Sequence, residues 1–188
     1  MVKLGFIAEG ATEKIILEKS DFFNYLDSIS IEYIPDVIDA GGNGNLLPNN
    51  IGGYSQILKD RGATHILILT DLDENLCITK TRTRISPLPN HVVTLSIKQV
   101  ESWFLSDTDA IRKLFGNDTG FSCNAPEILS NPYEEIKRIR MSKIKRGPGT
   151  KVTLANTMIR NNFSILKAAQ HPNCNSAKYF IKKIQEFA

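Results

Sequence analysis

The sequence predicts an α/β fold: a mainly parallel sheet flanked by helices, followed by a helical carboxyl-terminal part. Three observations predict it. Residues 65–70 read HILILT, a nearly continuous apolar run of the kind a parallel strand shows when helices cover both its faces. Apolar runs alternate with amphipathic stretches in the order βαβαβ, and a polar stretch then leads to one more strand, the order of a doubly wound layer. From Val100 onward the spacing is helical, with no convincing strand.

The elements follow in order. Residues 3–8 form a short run of Leu, Phe and Ile that Glu9-Gly10 ends, a first strand and its turn. Ile15, Ile16, Phe22, Phe23 and Leu26 recur at three- and four-residue intervals, with Glu13, Lys14, Glu18, Lys19 and Asp21 on the other face, which predicts one amphipathic helix. Residues 31–38 are a second apolar run. It breaks into the glycine-rich stretch 39–45, read as a mobile loop because it lacks a GxGxxG pattern. Residues 50–61 predict a short helix closed by Gly62. After the HILILT strand comes Asp71-Leu72-Asp73, then a Thr- and Arg-rich polar stretch at 79–84, a turn at 87–90 and a fourth strand at 92–97. Helices are expected at 100–105, 108–115, 133–141, 151–159, 163–170 and 176–187.

Composition narrows the function classes. The 188 residues hold 23 Lys and Arg against 20 Asp and Glu, a net charge of +3 that is too small to announce a nucleic-acid binder by bulk electrostatics. The distribution is uneven. Residues 1–78 carry five cations and twelve acids, net −7, whereas residues 79–188 carry eighteen and eight, net +10. Normal apolar content with balanced charge excludes a disordered tail protein. No apolar run approaches the roughly 18–20 residues of a membrane span, and the amino terminus lacks the long apolar core of a secretory signal, so a soluble cytoplasmic protein is expected. Cys77, Cys123 and Cys174, like His65, His91 and His171, are scattered and read as filler in a reducing compartment.

In an open parallel sheet, ligands bind outside the carboxyl ends of the strands. Glu9 closes the first strand there, and Asp71 and Asp73 close the strongest one, so three carboxylates converge if those strands are neighbours. Two such charges about 4 Å apart repel by roughly 4 kcal/mol at an effective dielectric of about 20, which calls for a cation or a proton. A hard divalent metal, Mg2+ or Mn2+, suits carboxylate oxygens. Glu13 lies one helical turn beyond Glu9 and either joins this group or complements the helix dipole. Glu101 follows the fourth strand, and either approaches the same edge or simply begins a helix. Its neighbour Trp103 reads equally as site or core, and Asp107 reads as a helix cap.

These residues carry a resemblance. The segments AEGATE, with Glu9 and Glu13, and ILTDLDEN, with Asp71 and Asp73, resemble the Toprim domain of topoisomerases, primases and OLD-type nucleases. A third segment, Val100 to Asp107 reading VESWFLSD, is similar to a signature of the small bacterial Toprim-like proteins grouped as domain of unknown function 4276. The resemblance implies a Toprim-like core over residues 1–107 with a basic helical extension, 108–188, packed on the same domain. It further implies Glu9, Asp71, Asp73 and Glu101 as ligands of Mg2+ or Mn2+, and Glu9, Glu13 and Lys151 as catalytic residues. An ATPase partner and a role in phage defence belong to the same implication.

Residues 137–151 place seven cations in fifteen residues and lack interleaved acids, so Lys143, Lys145, Arg146 and Lys151 are expected to contact nucleic acid, DNA in preference to RNA. No GxxxxGK[ST] motif is present, so ATP binding through a P-loop is not expected. The leading expectation is a metal-dependent nuclease. A non-catalytic regulator of an ATPase and a DxD phosphatase or nucleotidyl transferase stand as alternatives, and self-association stays open.

Overall fold

The computed structural model describes residues 2–72, 77–85 and 88–188. Five strands form one sheet among them: β1 (Lys3–Ala8), β2 (Glu32–Tyr33), β3 (Ile38–Asp39), β4 (His65–Asp71) and β5 (His91–Ser96). Every pairing is parallel and the order is β2-β1-β4-β5, with β3 pairing β1 beyond β2. The chain therefore builds outward from β1 in one direction and then returns to build in the other. That reversal, between β1 and β4, is where an open α/β sheet forms its ligand crevice. The register sets Ala8 against Leu69 and Asp71 against Ser96, so the acidic ends of β1 and β4 lie side by side.

Strand alternation divides the core in two. Leu4, Phe6, Ala8, Leu67 and Leu69 face one hydrophobic cluster, while Ile7, Ile66, Ile68, Val93 and Leu95 face the other. Helix α3 (Pro48–Asp60) covers the second face through Ile51 and Leu58. Gly5 permits that approach, since a Cβ there would meet Leu58 at 3.0 Å and Ala63 at 3.1 Å. Most other helices gather over the first face: α1 (Ala11–Lys19), α2 (Phe22–Ser28), α5 (Glu101–Ser106), α6 (Thr108–Leu114), α8 (Lys151–Arg160), α9 (Ile165–Gln170) and α10 (Asn175–Gln185). Trp103 settles into this cluster fully buried, its indole N–H donating to Ser176 Oγ at 2.8 Å. Asp107 caps α6 and accepts N–H bonds from Ala110 and, across the fold, from Ser164.

Several elements depart from the sequence expectation. The predicted single helix after Gly10 is two, α1 and α2, because Ser20 leaves helical geometry and its hydroxyl accepts from the Phe22 N–H. The run at 31–38 yields two strands of two residues each, since it borders β1 only at its ends. The polar stretch at 79–84 is helical, as α4 (Ile78–Ile85). The glycine-rich stretch forms a 3-10 turn at Asn43–Leu46, and Gly42 N–H donates to the Glu9 carbonyl at 2.8 Å, docking the segment beside β1. The remaining helix is α7 (Pro132–Ile144). Among the described residues no helix is long and apolar enough to cross a membrane.

Candidate active site

The site is built from strand ends. Glu9 is the first residue past β1. Its Oε2 accepts the Asp71 N–H at 3.0 Å and also the Thr70 hydroxyl, so β4 fixes the carboxylate of its neighbour. Asp71, the last residue of β4, is tied in turn to β5. Its Oδ1 accepts the Val100 N–H at 2.8 Å and the Ser96 hydroxyl. Three adjacent strands are thus linked in series through two carboxylates, each with its other oxygen, Glu9 Oε1 and Asp71 Oδ2, making no hydrogen bond among the described residues.

Two more carboxylates come from helices. Glu13, in the first turn of α1, turns back so that its Oε2 accepts the Gly10 N–H at 3.1 Å. Glu101 opens α5 and is fully buried. Helix α8 packs against α1, which brings Lys151, its first residue, to 3.4 Å from Glu101 Oε2. Thr150 caps α8 through the Thr153 N–H, and the preceding Gly149 adopts φ +83°.

Charge is concentrated and poorly hydrated here. Asp71 is 7% exposed and Glu13 6%. Burial, opposed by a hydrogen bond from the residue's own backbone and reinforced by the Glu101 and Glu9 charges, pushes the Glu13 carboxyl up to about 8. Burial followed by the Glu13 charge raises Asp71 well above the usual carboxylate range, against the lowering effect of the Ser96 hydroxyl. Burial alone would lower the Lys151 ammonium, but Glu101, Asp71 and Glu13 together outweigh it and raise it. Glu9, Glu13, Asp71, Glu101 and Lys151 therefore act on one another as one electrostatic unit.

Not every predicted site residue joins it. Asp73 lies outside the described residues. Lys143, Lys145 and Arg146 sit exposed at the end of α7 and make no hydrogen bond or ion pair with the acid cluster. The expectation that the basic run lacks acidic partners is corrected: Lys137 pairs with Glu134, Arg138 with Glu135, and Lys143 with Asp118 at 2.6 Å. Those acids lie before the run in sequence, and Asp118 is in the loop after α6. Thr70, Ser96 and the Val100 N–H, which fix the carboxylates, escaped sequence reading because Ser and Thr at strand ends carry no distinctive pattern. Cys174 is buried and its thiol is pushed up to about 12 by burial, in keeping with a filler role.

Fit to a metal can be judged on the donors. Hard carboxylate oxygens, a surplus of negative charge and two strand-end oxygens that make no hydrogen bond among the described residues suit Mg2+ or Mn2+. As placed, no three His, Cys, Asp or Glu side chains among the described residues stand together closely enough to hold an ion.

Fold and site together define an α/β protein with a buried acidic cluster at the switch point of a parallel sheet. No protein-family model matches the chain, and no curated protein matches it. Among solved structures it is similar to the C-terminal region of the Burkholderia pseudomallei OLD protein, with a TM-score of 0.47 and 16% identity over 98% of this chain and 99% of that one. It is similar also to the C-terminal region of the Xanthomonas campestris pv. campestris OLD protein, with a TM-score of 0.37 and 14% identity over 99% and 97% of the two chains.

Proposed function

We propose that the protein is a divalent-metal-dependent nuclease of the Toprim type that cleaves phosphodiester bonds, in DNA in preference to RNA. The observation that carries this reading is the convergence of Glu9, Glu13, Asp71 and Glu101 with Lys151 at the carboxyl ends of β1, β4 and β5. Stability alone gives no reason to bury three acids, Glu13, Asp71 and Glu101, beside the half-buried Glu9 and one lysine, because each like-charge neighbour raises the cost of ionisation.

Glu9 and Asp71 would hold Mg2+ or Mn2+, with Asp73 and Glu101 as further ligands. A metal so bound would neutralise the scissile phosphate and lower the pKa of an attacking water. The chain's own groups have separate tasks. The hydroxyls of Thr70 and Ser96 keep one oxygen of each strand-end carboxylate engaged, which would leave the other for a ligand. Glu13, whose carboxyl is raised by burial in the metal-free protein, would carry a proton to or from the reacting groups. Lys151 keeps its charge and offers it to the phosphate. Lys143, Lys145 and Arg146 would meet phosphates farther along the strand. The same proposal divides the chain into a core, 1–107, and a helical extension, 108–188, and includes an ATPase partner.

Purified protein incubated with supercoiled plasmid and Mn2+ should nick it. Asp71→Asn and Glu9→Gln should each reduce nicking by about a hundredfold or more with the circular dichroism spectrum unchanged. Nicking that survives both changes contradicts the proposal.

A further inference from the structure

A second feature lies on the free edge of β5, where α4 and α10 meet. Two cavities open there on either side of a stacked pair, Arg82 and Tyr179. The first, about 270 Å³, has Ile78, Leu95 and Ile97 as an apolar floor and Asn175 at its wall. The second, about 370 Å³, adds Thr83, His91 and Lys183. Among the described residues no Asp or Glu lines either one.

Arg82 is the unusual member. Its guanidinium carbon lies 4.4 Å from the centre of the Tyr179 ring, it makes no ion pair among the described residues, and its Nε is buried without a hydrogen-bond partner among them. A guanidinium offers five donors in a planar fork, and leaving a buried one unmet is unfavourable. Among the described residues it lacks an anionic acceptor. Lys183 stands 5.5 Å from the same ring and is engaged with Glu186, so the positive charge in excess at the cleft belongs to Arg82.

We propose that this cleft binds a nucleoside phosphate unit, with the base over the apolar floor beside Tyr179 and the phosphate on the Arg82 fork. Three features of the cleft select that chemistry. Arginine's planar donors match a phosphate in bidentate fashion. A floor of Ile78, Leu95 and Ile97 next to an aromatic ring accepts a flat, weakly polar body, as base-stacking sites do. The exposed Asn175 carboxamide supplies both a donor and an acceptor for a base edge. The unit could arrive as a free nucleotide or as part of a single strand. The cleft is separate from the acid cluster, and the proposal does not depend on the nuclease reading.

The test uses the whole chain in EDTA, so that no metal mediates binding. The probes are adenosine 5′-monophosphate, adenosine, an adenine oligodeoxynucleotide of roughly ten residues and a polyglutamate peptide, followed by calorimetry. The phosphate-bearing probes should bind and adenosine should bind at least about tenfold more weakly. Arg82→Gln and Tyr179→Leu should each weaken binding about tenfold or more, and Asp71→Asn by less than about twofold. Tighter binding of the mononucleotide identifies a free-nucleotide site, and tighter binding of the oligonucleotide identifies a strand path; either supports the proposal. Should Arg82→Gln not fold, Arg82→Lys, which keeps the charge without the fork, and Asn175→Ala carry the same expectation. Absence of binding by both phosphate-bearing probes, binding indifferent to the variants, or capture of polyglutamate instead overturns it. Loss of nicking with retained nucleotide binding, or the reverse, separates this proposal from the nuclease one.

Discussion

The backbone N–H of Asp71 donates to the carboxylate of Glu9 at 3.0 Å, so the residue that ends β4 holds in place the residue that ends β1. The bond joins the two sides of the sheet's switch point and makes the pose of one candidate ligand depend on the other. Removing its acceptor should therefore register in stability as well as in activity. Glu9→Ala leaves the Asp71 N–H and the Thr70 hydroxyl without their partner and should cost about 1–3 kcal/mol, read from urea unfolding. Glu9→Gln keeps an acceptor oxygen and should cost less than Glu9→Ala.

Asp71→Asn should move stability and function in opposite directions. The carboxamide oxygen can still accept from Val100 N–H and Ser96, while the charge that Glu13, Glu101 and Glu9 oppose is gone. At pH 8, without metal, the variant should be more stable by about 1–2 kcal/mol, even as nicking is lost. A destabilised variant would show that the acid cluster is not under repulsion.

The pH dependence of metal-free stability follows from Glu13. Its folded-state pKa of about 8 lies above the unfolded value near 4.5, so between those limits the folded state binds more protons than the unfolded chain. Glu13 thus lowers stability as pH rises from about 4.5 to about 8. The urea midpoint of the wild type relative to Glu13→Gln should fall across that window and level off above it.

His91 acts in the opposite direction. Burial, with the Lys59 charge adding to it, lowers its pKa to about 4 from 6.5, and its Nε2 lies 3.0 Å from Ser55 Oγ. The neutral ring is therefore favoured by folding. Its contribution is complete above pH 6.5 and is lost as pH falls from there to about 4. Relative to His91→Gln, the wild type should lose stability across that interval and hold a constant difference above pH 7.

Gly149 links backbone geometry to Lys151. At φ +83° an added Cβ would lie 2.8 Å from Thr153 Cγ2, in the first turn of α8. Gly149→Ala should destabilise the chain by about 1–3 kcal/mol. By shifting the turn that carries Lys151, it should also lower nicking more than Val152→Ala does on the same helix.

What the sequence made legible was set by periodicity. β1, β4 and β5 stand out because residues such as Ile66, Leu67, Ile68 and Leu69 are apolar on both faces, and both faces are covered. Helix α4 was missed because only Thr81 and Ile85 are buried on it, too few to mark a stripe. Strands β2 and β3 are two residues long and are held by pairing with β1, a tertiary cause that local sequence does not carry. At the site, Glu9 and Asp71 could be read from their positions after apolar runs. The depth of Glu13 and Glu101 could not, because α8 and α5 create it by packing, and Lys151, though part of the basic run, was placed beside the acids by resemblance alone.

The central claim is that the carboxylates at the ends of β1 and β4 form a divalent-metal site. Calorimetric titration of Mn2+ into the wild type and into Asp71→Asn at pH 8 tests it most directly. The account predicts binding by the wild type that weakens by about tenfold or more in the variant, while both unfold cooperatively. Equal Mn2+ affinity in the two proteins, or none in either, would contradict it.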